Sequence, residues 1–562
     1  MQSYLADALT RVLATLDGVP DGFEVEFQRP AQAAHGDLAT NTALRLAKPL
    51  RANPRQIAQT LADGLRALPI DEDRIAAIEV AGPGFLNFRF SNRYLASGVQ
   101  AILDAGTGFG KLDLGQGQRA NVEYVSANPT GPLTVGHGRN AVLGDTVANL
   151  LELAGYEVTR EYYFNDAGRQ MRVLGQSVRS RAEALLDPSM PTKVLTFDEV
   201  EHVVPETFPE DGYVGTYIID IAQTVVDAHG DATLEQEDET FIEAAKQSIF
   251  TDIEETLARL GIRQDTYFNE RTLYEDESVW NVVEQLREKD LAYDHDGAVW
   301  FKTTAYGKDK DTVLVKSSGE PTYRLPDIAY HVNKIDRGFD LLIDVFGADH
   351  IATYPDVMNG IEALGHDASM VDVIIYQFVT LIRGGEIVKM STRKANFVTL
   401  DELIDEVGAD VTRYFFLMRA PSTHLEFDLD LAKEASEKNP VFYLQYAHAR
   451  ICSILRKIEE VDQPLASDPD LTGLTHPAEV DLMKVLLQFP EAIKRAATTR
   501  EPHGVAMYLR DVASQFSQFY GQCHIVGEDA ETAGRRLALT RATQIVLQNG
   551  LRVLGLSAPE SM

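Results

Sequence analysis

Cysteines and long apolar runs are scarce in this sequence, and each scarcity excludes a class of protein. Only two cysteines occur, Cys452 and Cys523, so neither a disulfide framework nor a zinc site built on several cysteines is available. No apolar run approaches the ~18 residues that a membrane-spanning helix requires. Residues 1–18 lack the basic start and continuous apolar stretch of a signal peptide and instead have helical periodicity. These absences predict a cytoplasmic protein without a membrane segment.

Basic residues are also in the minority, and their distribution is uneven. The chain has 52 Lys and Arg against 85 Asp and Glu, a net charge of −33, which by itself argues against a polyanionic partner. From Lys433 to the end there are 14 Lys and Arg against 16 Asp and Glu, a net of −2, which leaves −31 for the first 432 residues. The last part of the chain is therefore the predicted docking region for any polyanion.

The length and pattern of the sequence predict a multidomain α/β protein. A chain of 562 residues should form roughly three or four domains, at about 150 residues each. We predict a small α+β domain over 1–92, a parallel-sheet domain over 115–399 with a mostly helical insertion at 179–297, a connecting helical segment at 400–432, and an all-helical domain over 433–562.

The parallel sheet is predicted from a strand, a helix and a second strand. Residues 121–125 and 158–164 have the pattern of buried strands, and the apolar positions between them have helical spacing. Further strands are predicted at 340–346 and 371–379, with a helix between them. Two strands joined by a crossover helix are typical of a doubly wound parallel sheet, which binds ligands at the carboxyl ends of its strands.

A loop rich in glycine and proline, residues 126–140, follows the first of these strands and leads into the helix. Its candidate ligand-binding residues are Ser126, Asn128, Thr134, Gly136, His137 and Asn140. Glycine allows the backbone to approach a nucleotide closely, and the N-terminus of a helix offers free N–H groups to phosphate. His137 could then stabilise charge developing on the α-phosphate. The alternative is an ordinary turn in which His137 is a structural histidine.

A second loop follows a late strand and concentrates basic residues. Lys389, Met390 and Ser391 are followed by Thr392, Arg393 and Lys394, so three cations occur within six residues. Such a loop can clamp a pyrophosphate leaving group, although a solvated basic turn would have the same composition. A doubly wound fold would bring both loops to one edge of the sheet.

The two loops together resemble the signature motifs of class I aminoacyl-tRNA synthetases, and their context resembles the arginyl-tRNA synthetases in particular. The resemblance extends over nearly the whole chain. It is carried by residues 35–41, 82–87, 126–140, 164–168, 323–331, 347–350, 389–394, 439–450 and 553–560.

This resemblance implies a fold, an activity and a set of partners. The fold would be a Rossmann-type catalytic domain, an N-terminal domain that contacts the tRNA elbow, and a helical anticodon-binding domain. The activity would be ATP- and Mg²⁺-dependent formation of arginyl-adenylate and transfer to tRNA(Arg), with tRNA required for activation. The resemblance implies a monomer that uses L-arginine, ATP and tRNA(Arg), with no DNA partner, zinc, other resident metal or organic prosthetic group.

The sequence departs from the class pattern at two positions. Thr134 stands where the first motif usually has a histidine, and Thr392 stands where the second usually has a lysine. Arg393, Lys394 or a lysine from another loop could supply the missing cation.

Recognition of arginine can be argued from chemistry as well. A guanidinium is a planar, permanently charged fork of five donors, so its pocket needs carboxylates and a hydroxyl. Tyr323 and Asp327, four residues apart on a predicted helix, supply a hydroxyl and a carboxylate, and Glu123 could supply a second carboxylate. Asn128 and Asp349 match family positions at or near the α-ammonium, and Ser126 is assigned to the same pocket. The alternative for Tyr323 and Asp327 is a helix start with an exposed acid.

The remaining assignments complete the predicted sites. The predicted catalytic residues are His137, Lys389 and Ser391. ATP binding is assigned to Thr134, Gly136, His137, Asn140, Lys389, Met390, Ser391 and Arg393. Candidates for tRNA contact are Gln445, Tyr446, Arg450, Arg495 and Tyr520.

Three other readings of the sequence make distinct predictions. A nucleotidyl transferase that adenylates a small acid would share the nucleotide motifs without needing the helical C-terminal domain. A synthetase-like protein without activity would keep the domains and lose the site residues. A cysteinyl enzyme would need a cysteine-based zinc site, which two distant cysteines do not readily supply.

Overall fold

The computed structural model describes residues 1–30, 32, 35–68, 73–166, 168–197, 200–388 and 398–562. These form a small α+β unit, a parallel-sheet unit with insertions and a helical unit, which confirms the predicted fold class. No helix within the described ranges combines the length and the apolar character needed to cross a membrane.

The N-terminal unit packs helices on a three-stranded antiparallel sheet of order β1-β3-β2. The apolar face predicted for the first helix is buried, with Leu5 and Leu9 fully inaccessible. The elements are α1 Gln2–Leu13, β1 Leu38–Thr40, α2 Thr42–Leu46, α3 Pro54–Ala67, β2 Ile75–Ala81 and β3 Phe85–Phe90.

The second unit is built on a five-stranded sheet of order β13-β12-β4-β5-β8 in which every neighbouring pair is parallel. Its first part comprises α4 Asn92–Ala105, β4 Arg119–Glu123, α5 Val135–Leu153, β5 Glu157–Phe164, α6 Arg169–Leu186, β6 Thr192–Phe197, β7 Val200–Pro205, α7 Tyr217–His229, α8 Asp238–Arg259, β8 Thr266–Asn269, α9 Arg271–Glu275 and α10 Ser278–Glu288. It continues with β9 Ala292–His295, β10 Ala298–Phe301, β11 Thr312–Val315, α11 Arg324–Asp336, β12 Leu341–Gly347, α12 Tyr354–Leu364, β13 Val371–Tyr376, β14 Val379–Arg383 and β15 Glu386–Ile387.

The predicted strand, helix and strand are β4, α5 and β5, and they form the centre of this sheet. Because β4 lies between β12 and β5, the loops that follow β4 and β12 emerge side by side at the carboxyl edge. Helix α5 is buried along most of its length, so its N-terminus is held firmly against that edge.

The segment 179–297 is less purely helical than its sequence suggests. It contains α7, α8 and the hairpin β6–β7, but it also contributes β8 to the edge of the parallel sheet and β9 to a separate antiparallel sheet with β10 and β11. Strand β8 has only four residues, and its register is fixed by pairing with β5 and by aromatic contacts such as that of Tyr267 with Tyr162. So short a strand leaves little periodic signal.

The C-terminal part is helical apart from one short strand, β16, which pairs in parallel with β14 inside the segment predicted to be a helical connection. Its elements are α13 Leu400–Val407, α14 Ala409–Leu417, β16 Leu425–Asp428, α15 Leu429–Ala432, α16 Pro440–Glu460, α17 Pro477–Leu486, α18 Phe489–Thr499, α19 His503–Gln522 and α20 Ala530–Val553.

A buried arginine ties this helical part to the parallel-sheet unit. Arg413 on α14 donates to the carboxylate of Asp145 on α5 at 2.5 Å, to the carbonyl of Leu260 at 2.9 Å and to the carbonyl of Leu554 at 3.1 Å. One side chain thus joins α5, the end of α8 and the end of α20, which favours a fixed relation between these parts.

Candidate active site

The loop between β4 and α5 ends in a helix cap that positions His137. Thr134 is the N-cap of α5, and its backbone N–H donates to Nδ1 of His137 at 3.2 Å. Since Nδ1 accepts this bond, the ring proton of a neutral His137 is on Nε2. Burial lowers the pKa of His137 to about 4, so the ring is neutral at pH 7. The ring therefore has an N–H donor beside the helix N-terminus.

The two glycines of this motif have different surroundings. A Cβ on Gly138 would lie 2.5 Å from Leu400 Cδ1, so this glycine allows α5 to pack against α13. A Cβ on Gly136 would meet only Thr134 Oγ1 at 3.7 Å. The backbone at Gly136 therefore has open space in front of it, as close approach by a nucleotide requires.

The second predicted motif falls within residues 389–397. Lys389, Met390, Ser391 and Arg393 therefore lie outside the described residues, as do Thr392 and Lys394. Leu400, on the C-terminal side, is anchored at the first motif, because its N–H donates to Leu133 O at 2.8 Å. Val388, on the N-terminal side, donates its N–H to Leu381 O on β14 at 2.9 Å. Thr399 also forms an isolated antiparallel bridge with Thr134. Thr399 and Leu400 therefore lie beside the N-terminus of α5.

A strained turn follows β4 and is held by Asn140. Val125 and Ser126 have φ angles of +69° and +40°, a left-handed conformation that is unfavourable for a β-branched residue such as valine. Asn140 Oδ1 accepts from Val125 N–H at 2.7 Å, and its Nδ2 donates to Val345 O at 2.8 Å. The Asn140 side chain is therefore buried and bonded to the turn after β4 and to strand β12, so we propose that it positions the turn. Its contact with ATP stays a prediction.

Removing the Asn140 amide should destabilise the protein. We expect Asn140→Ala to cost about 3 kcal/mol, because a buried N–H and C=O lose their partner and the turn loses its support. The first thermal transition of the variant should fall by several degrees, whereas Gln223→Ala, which removes an exposed side-chain bond on α7, should leave it nearly unchanged. Equal midpoints for the two variants would contradict this role.

The residues predicted to bind arginine lie at the end of β4, at the start of α11 and in the segments after β4 and β12. Glu123 ends β4 and is 4% exposed, and its Oε1 accepts from Ser126 Oγ at 2.9 Å. Asp327 lies in the first turn of α11, and Tyr323, which is 69% exposed, is the N-cap of that helix. Asn128 and Asp349 are exposed in the loops after β4 and β12. The structure thus places a carboxylate from a strand near one from a helix whose N-cap is an exposed tyrosine.

The carboxyl groups of Asp327 and Glu123 both have a pKa above the ordinary value. Burial raises the pKa of Asp327 to about 7, with a further increase from nearby Glu123 and Glu270. Burial also raises the pKa of Glu123, although the ammonium of Lys334 opposes the rise. Acids that are hard to ionise in the free protein become easier to ionise when a cation binds between them. The electrostatics therefore favour a cationic ligand.

A set of buried charged residues behind this pocket was not predicted. Lys334 on α11 contacts both Glu123 and Asp344, and His331 Nε2 lies 2.7 Å from Asp344 Oδ2. The available signal was an aspartate in the middle of the apolar strand β12 and a lysine on a helix that is otherwise buried on that face. Charged residues at core positions are rarely buried without partners, so they mark such a network.

The candidates for tRNA contact divide into two groups. Arg450 lies over the ring of Tyr520 at 5.0 Å, and Tyr446, one turn before Arg450 on α16, stacks on Phe442 and is 40% exposed. These residues form a basic, aromatic surface across α16 and α19. Gln445 is instead bonded to Asp410 and Ser557, and Arg495 is exposed on α18.

Within the described part of the chain, no three His, Cys, Asp or Glu side chains are grouped as ligands of a metal ion.

Comparisons with known proteins agree with the three-part fold. Three family models match: "Arginyl tRNA synthetase N terminal domain" over residues 1–90, "tRNA synthetases class I (R), catalytic domain" over 98–415 and "DALR anticodon binding domain" over 444–562. A relative from Salinibacter ruber, named arginine–tRNA ligase, is 60% identical over the full length of both chains. One of the same name from Desulfotalea psychrophila is 50% identical over 95% of this chain and 94% of its own.

A solved structure supports the fold. The Thermus thermophilus arginyl-tRNA synthetase is 23% identical, aligns over all of both chains and has a TM-score of 0.78. The match of the catalytic-domain model over more than half of the sequence, together with full-length identity of 60%, places this chain in a family. The chain belongs to the arginyl-tRNA synthetases, a family of class I aminoacyl-tRNA synthetases.

Proposed function

We propose that this chain activates L-arginine with ATP and transfers it to tRNA(Arg). In the first step a carboxylate oxygen of arginine attacks the α-phosphorus of ATP–Mg²⁺, the bond to the bridging oxygen breaks and pyrophosphate leaves. In the second step a terminal ribose hydroxyl of the tRNA attacks the arginyl carbonyl, loses its proton and releases AMP. The observation that carries the proposal is a pair of neighbouring acids, the buried Glu123 and the half-buried Asp327, of which Glu123 directly precedes the loop that positions His137.

We assign the nucleotide to the N-terminus of α5. The Nε2 hydrogen of His137 would donate to an α-phosphate oxygen, and the first turn of the helix would add its dipole and free N–H groups. Thr134 and Gly136 would line this site. Lys389, Ser391, Met390 and Arg393 remain predictions from the second motif, in which Lys389 stabilises the departing pyrophosphate.

We assign the arginine side chain to Asp327, Glu123 and the hydroxyl of Tyr323. Two carboxylates and a hydroxyl match the donors of a guanidinium better than the single ammonium of lysine. Asn128 and Asp349 would hold the α-ammonium, and Ser126 would orient Glu123 through its observed hydrogen bond. We further propose that activation requires bound tRNA, that Tyr446, Arg450 and Tyr520 contact it, and that the enzyme is a cytoplasmic monomer without zinc.

The pH dependence of arginine binding follows from the pKa of Asp327. A guanidinium pairs with the ionised carboxylate, and in the free enzyme this carboxyl has a pKa raised to about 7. The KM for arginine should therefore fall about tenfold per unit as pH rises towards 7 and level off above it. The measurement is KM for arginine between pH 5.5 and 8.5 at saturating ATP and tRNA, with KM for ATP as the control. A flat arginine profile would contradict the assignment.

Charging of tRNA tests the proposed function. A tRNA(Arg) transcript should accept labelled L-arginine, while lysine and citrulline, which lack the charged fork, should be charged at least about 10³-fold less efficiently. Adenylation of a small acid without transfer to tRNA would favour a nucleotidyl transferase. Binding of tRNA without charging would favour a synthetase-like protein that has lost its activity.

A further inference from the structure

A fully buried lysine lies directly behind the proposed arginine pocket. Lys334 on α11 has no exposed surface, and its Nζ donates to Glu123 Oε2 at 2.5 Å and to Asp344 Oδ1 at 2.7 Å. The same ammonium lies 4.3 Å from the centre of the Tyr330 ring. Burying an ammonium is costly unless it is paired, and here all the pairing comes from the protein itself.

The two carboxylates that Lys334 joins differ in their other contacts. Asp344 on β12 also pairs with His331, so its charge has two partners, which together hold the pKa of Asp344 well below its usual range. Glu123 on β4 has Lys334 as its ion-pair partner and the Ser126 hydroxyl on its other oxygen. Glu123 therefore depends more heavily on Lys334, for both its orientation and its charge, than Asp344 does.

Helical geometry links Lys334 to the second acid of the pocket. Asp327 and Lys334 are seven residues, or two turns, apart on α11, so they lie on the same face of the helix. Lys334 holds this face against β4 and β12 at one end, while His331 Nδ1 is bonded to the carbonyl of Asp327 at 2.8 Å. The contacts of Lys334 thus help to fix how far the carboxyl of Asp327 lies from that of Glu123.

We propose that Lys334 is a positioning residue for arginine recognition: it holds Glu123 ionised and oriented, and it fixes the spacing of Glu123 and Asp327 to suit a guanidinium. The proposal rests on the assignment of both acids to the arginine side chain. It requires no contact between Lys334 and substrate, because both of its hydrogen-bond acceptors are carboxylates of the protein.

A double-mutant cycle between Lys334→Met and Glu123→Gln tests this role. Each single variant should raise KM for arginine by about 30- to 100-fold, with KM for ATP changed less than threefold. Because Lys334 acts through Glu123, the double variant should be close to Glu123→Gln alone rather than the product of the two effects. Lys334→Arg, which keeps a cation at this position, should recover most of the arginine affinity.

The outcomes test the positioning role of Lys334 separately from the assignment of Glu123 to the arginine pocket. If Glu123→Gln leaves KM for arginine unchanged, the assignment of Glu123 to the pocket fails. If Glu123→Gln raises this KM but Lys334→Met does not, or if the two effects multiply, the positioning role of Lys334 is refuted. Should Lys334→Met fail to fold, Lys334→Gln replaces it in the cycle. The expectation is the same, because the glutamine amide can donate to only part of the pair formed by Glu123 and Asp344.

Discussion

Replacing Asp327 with asparagine is expected to lower kcat/KM for arginine by about 10³-fold. Asparagine keeps the shape of the side chain but leaves the buried guanidinium without its ion-pair partner, a loss of roughly 3 to 5 kcal/mol for a buried charge. The loss should appear mainly in KM for arginine, measured in tRNA charging, while KM for ATP stays within about threefold. Asp336→Asn, at the exposed far end of the same helix, is the matched control.

The same substitution should stabilise the fold at alkaline pH. The folded-state pKa of Asp327, about 7, is above its unfolded value of 3.8, so ionising this carboxyl costs folding free energy as pH rises through that window. We expect Asp327→Asn to be about 2 kcal/mol more stable than the parent at pH 8 and equally stable near pH 4. A variant that lost arginine affinity and also lost stability at pH 8 would indicate a structural role for Asp327.

Replacing His137 with alanine is expected to slow adenylate formation by about 10² to 10³-fold. The change removes the Nε2 donor from the N-terminus of α5, where charge develops on the α-phosphate, and donors of this kind contribute that magnitude. His137→Asn keeps an amide N–H and should retain more activity than His137→Ala. The measurement is the single-turnover rate with saturating arginine, ATP and tRNA.

Two measurements distinguish the loss of the His137 donor from a general loss of folding. His229→Ala, at the exposed C-terminal end of α7, should react at the parental rate. Burial lowers the pKa of His137 to about 4, so His137 should not titrate near pH 6.5. The single-turnover rates of the parent and of His137→Asn should therefore depend on pH in the same way near pH 6.5. A rate for His137→Ala within threefold of the parent would exclude a role in the chemical step.

The sequence was sufficient to predict those elements whose structure is determined by short-range pattern. The strand β4, the helix α5 and the strand β5 have strong apolar periodicity and glycine punctuation, so their existence and parallel order could be predicted. Chemistry and resemblance predict Glu123, Asp327 and His137 as site residues, and this assignment stays a prediction. Glu123 and His137 lie at one edge because the loop after β4 leads directly into α5.

What could not be predicted depends on contacts between distant parts of the chain. The pairing of Lys334 with Glu123 joins residues more than 200 positions apart. Asn140 belongs to a motif associated with nucleotide binding, yet its amide is used to hold a strained turn, which depends on the backbone angles of Val125. Strand β8 is too short to be periodic and exists because β5 offers an unpaired edge. The Lys334–Glu123 pair, the role of Asn140 and strand β8 all depend on contacts between distant parts of the chain.

Arginine-dependent exchange of pyrophosphate into ATP, measured with and without tRNA(Arg), is the most direct test of the central claim. We predict exchange only when arginine and tRNA(Arg) are both present, and loss of that exchange in Asp327→Asn and His137→Ala. Absence of exchange in the parent protein, in a preparation that still binds tRNA(Arg), would contradict the account.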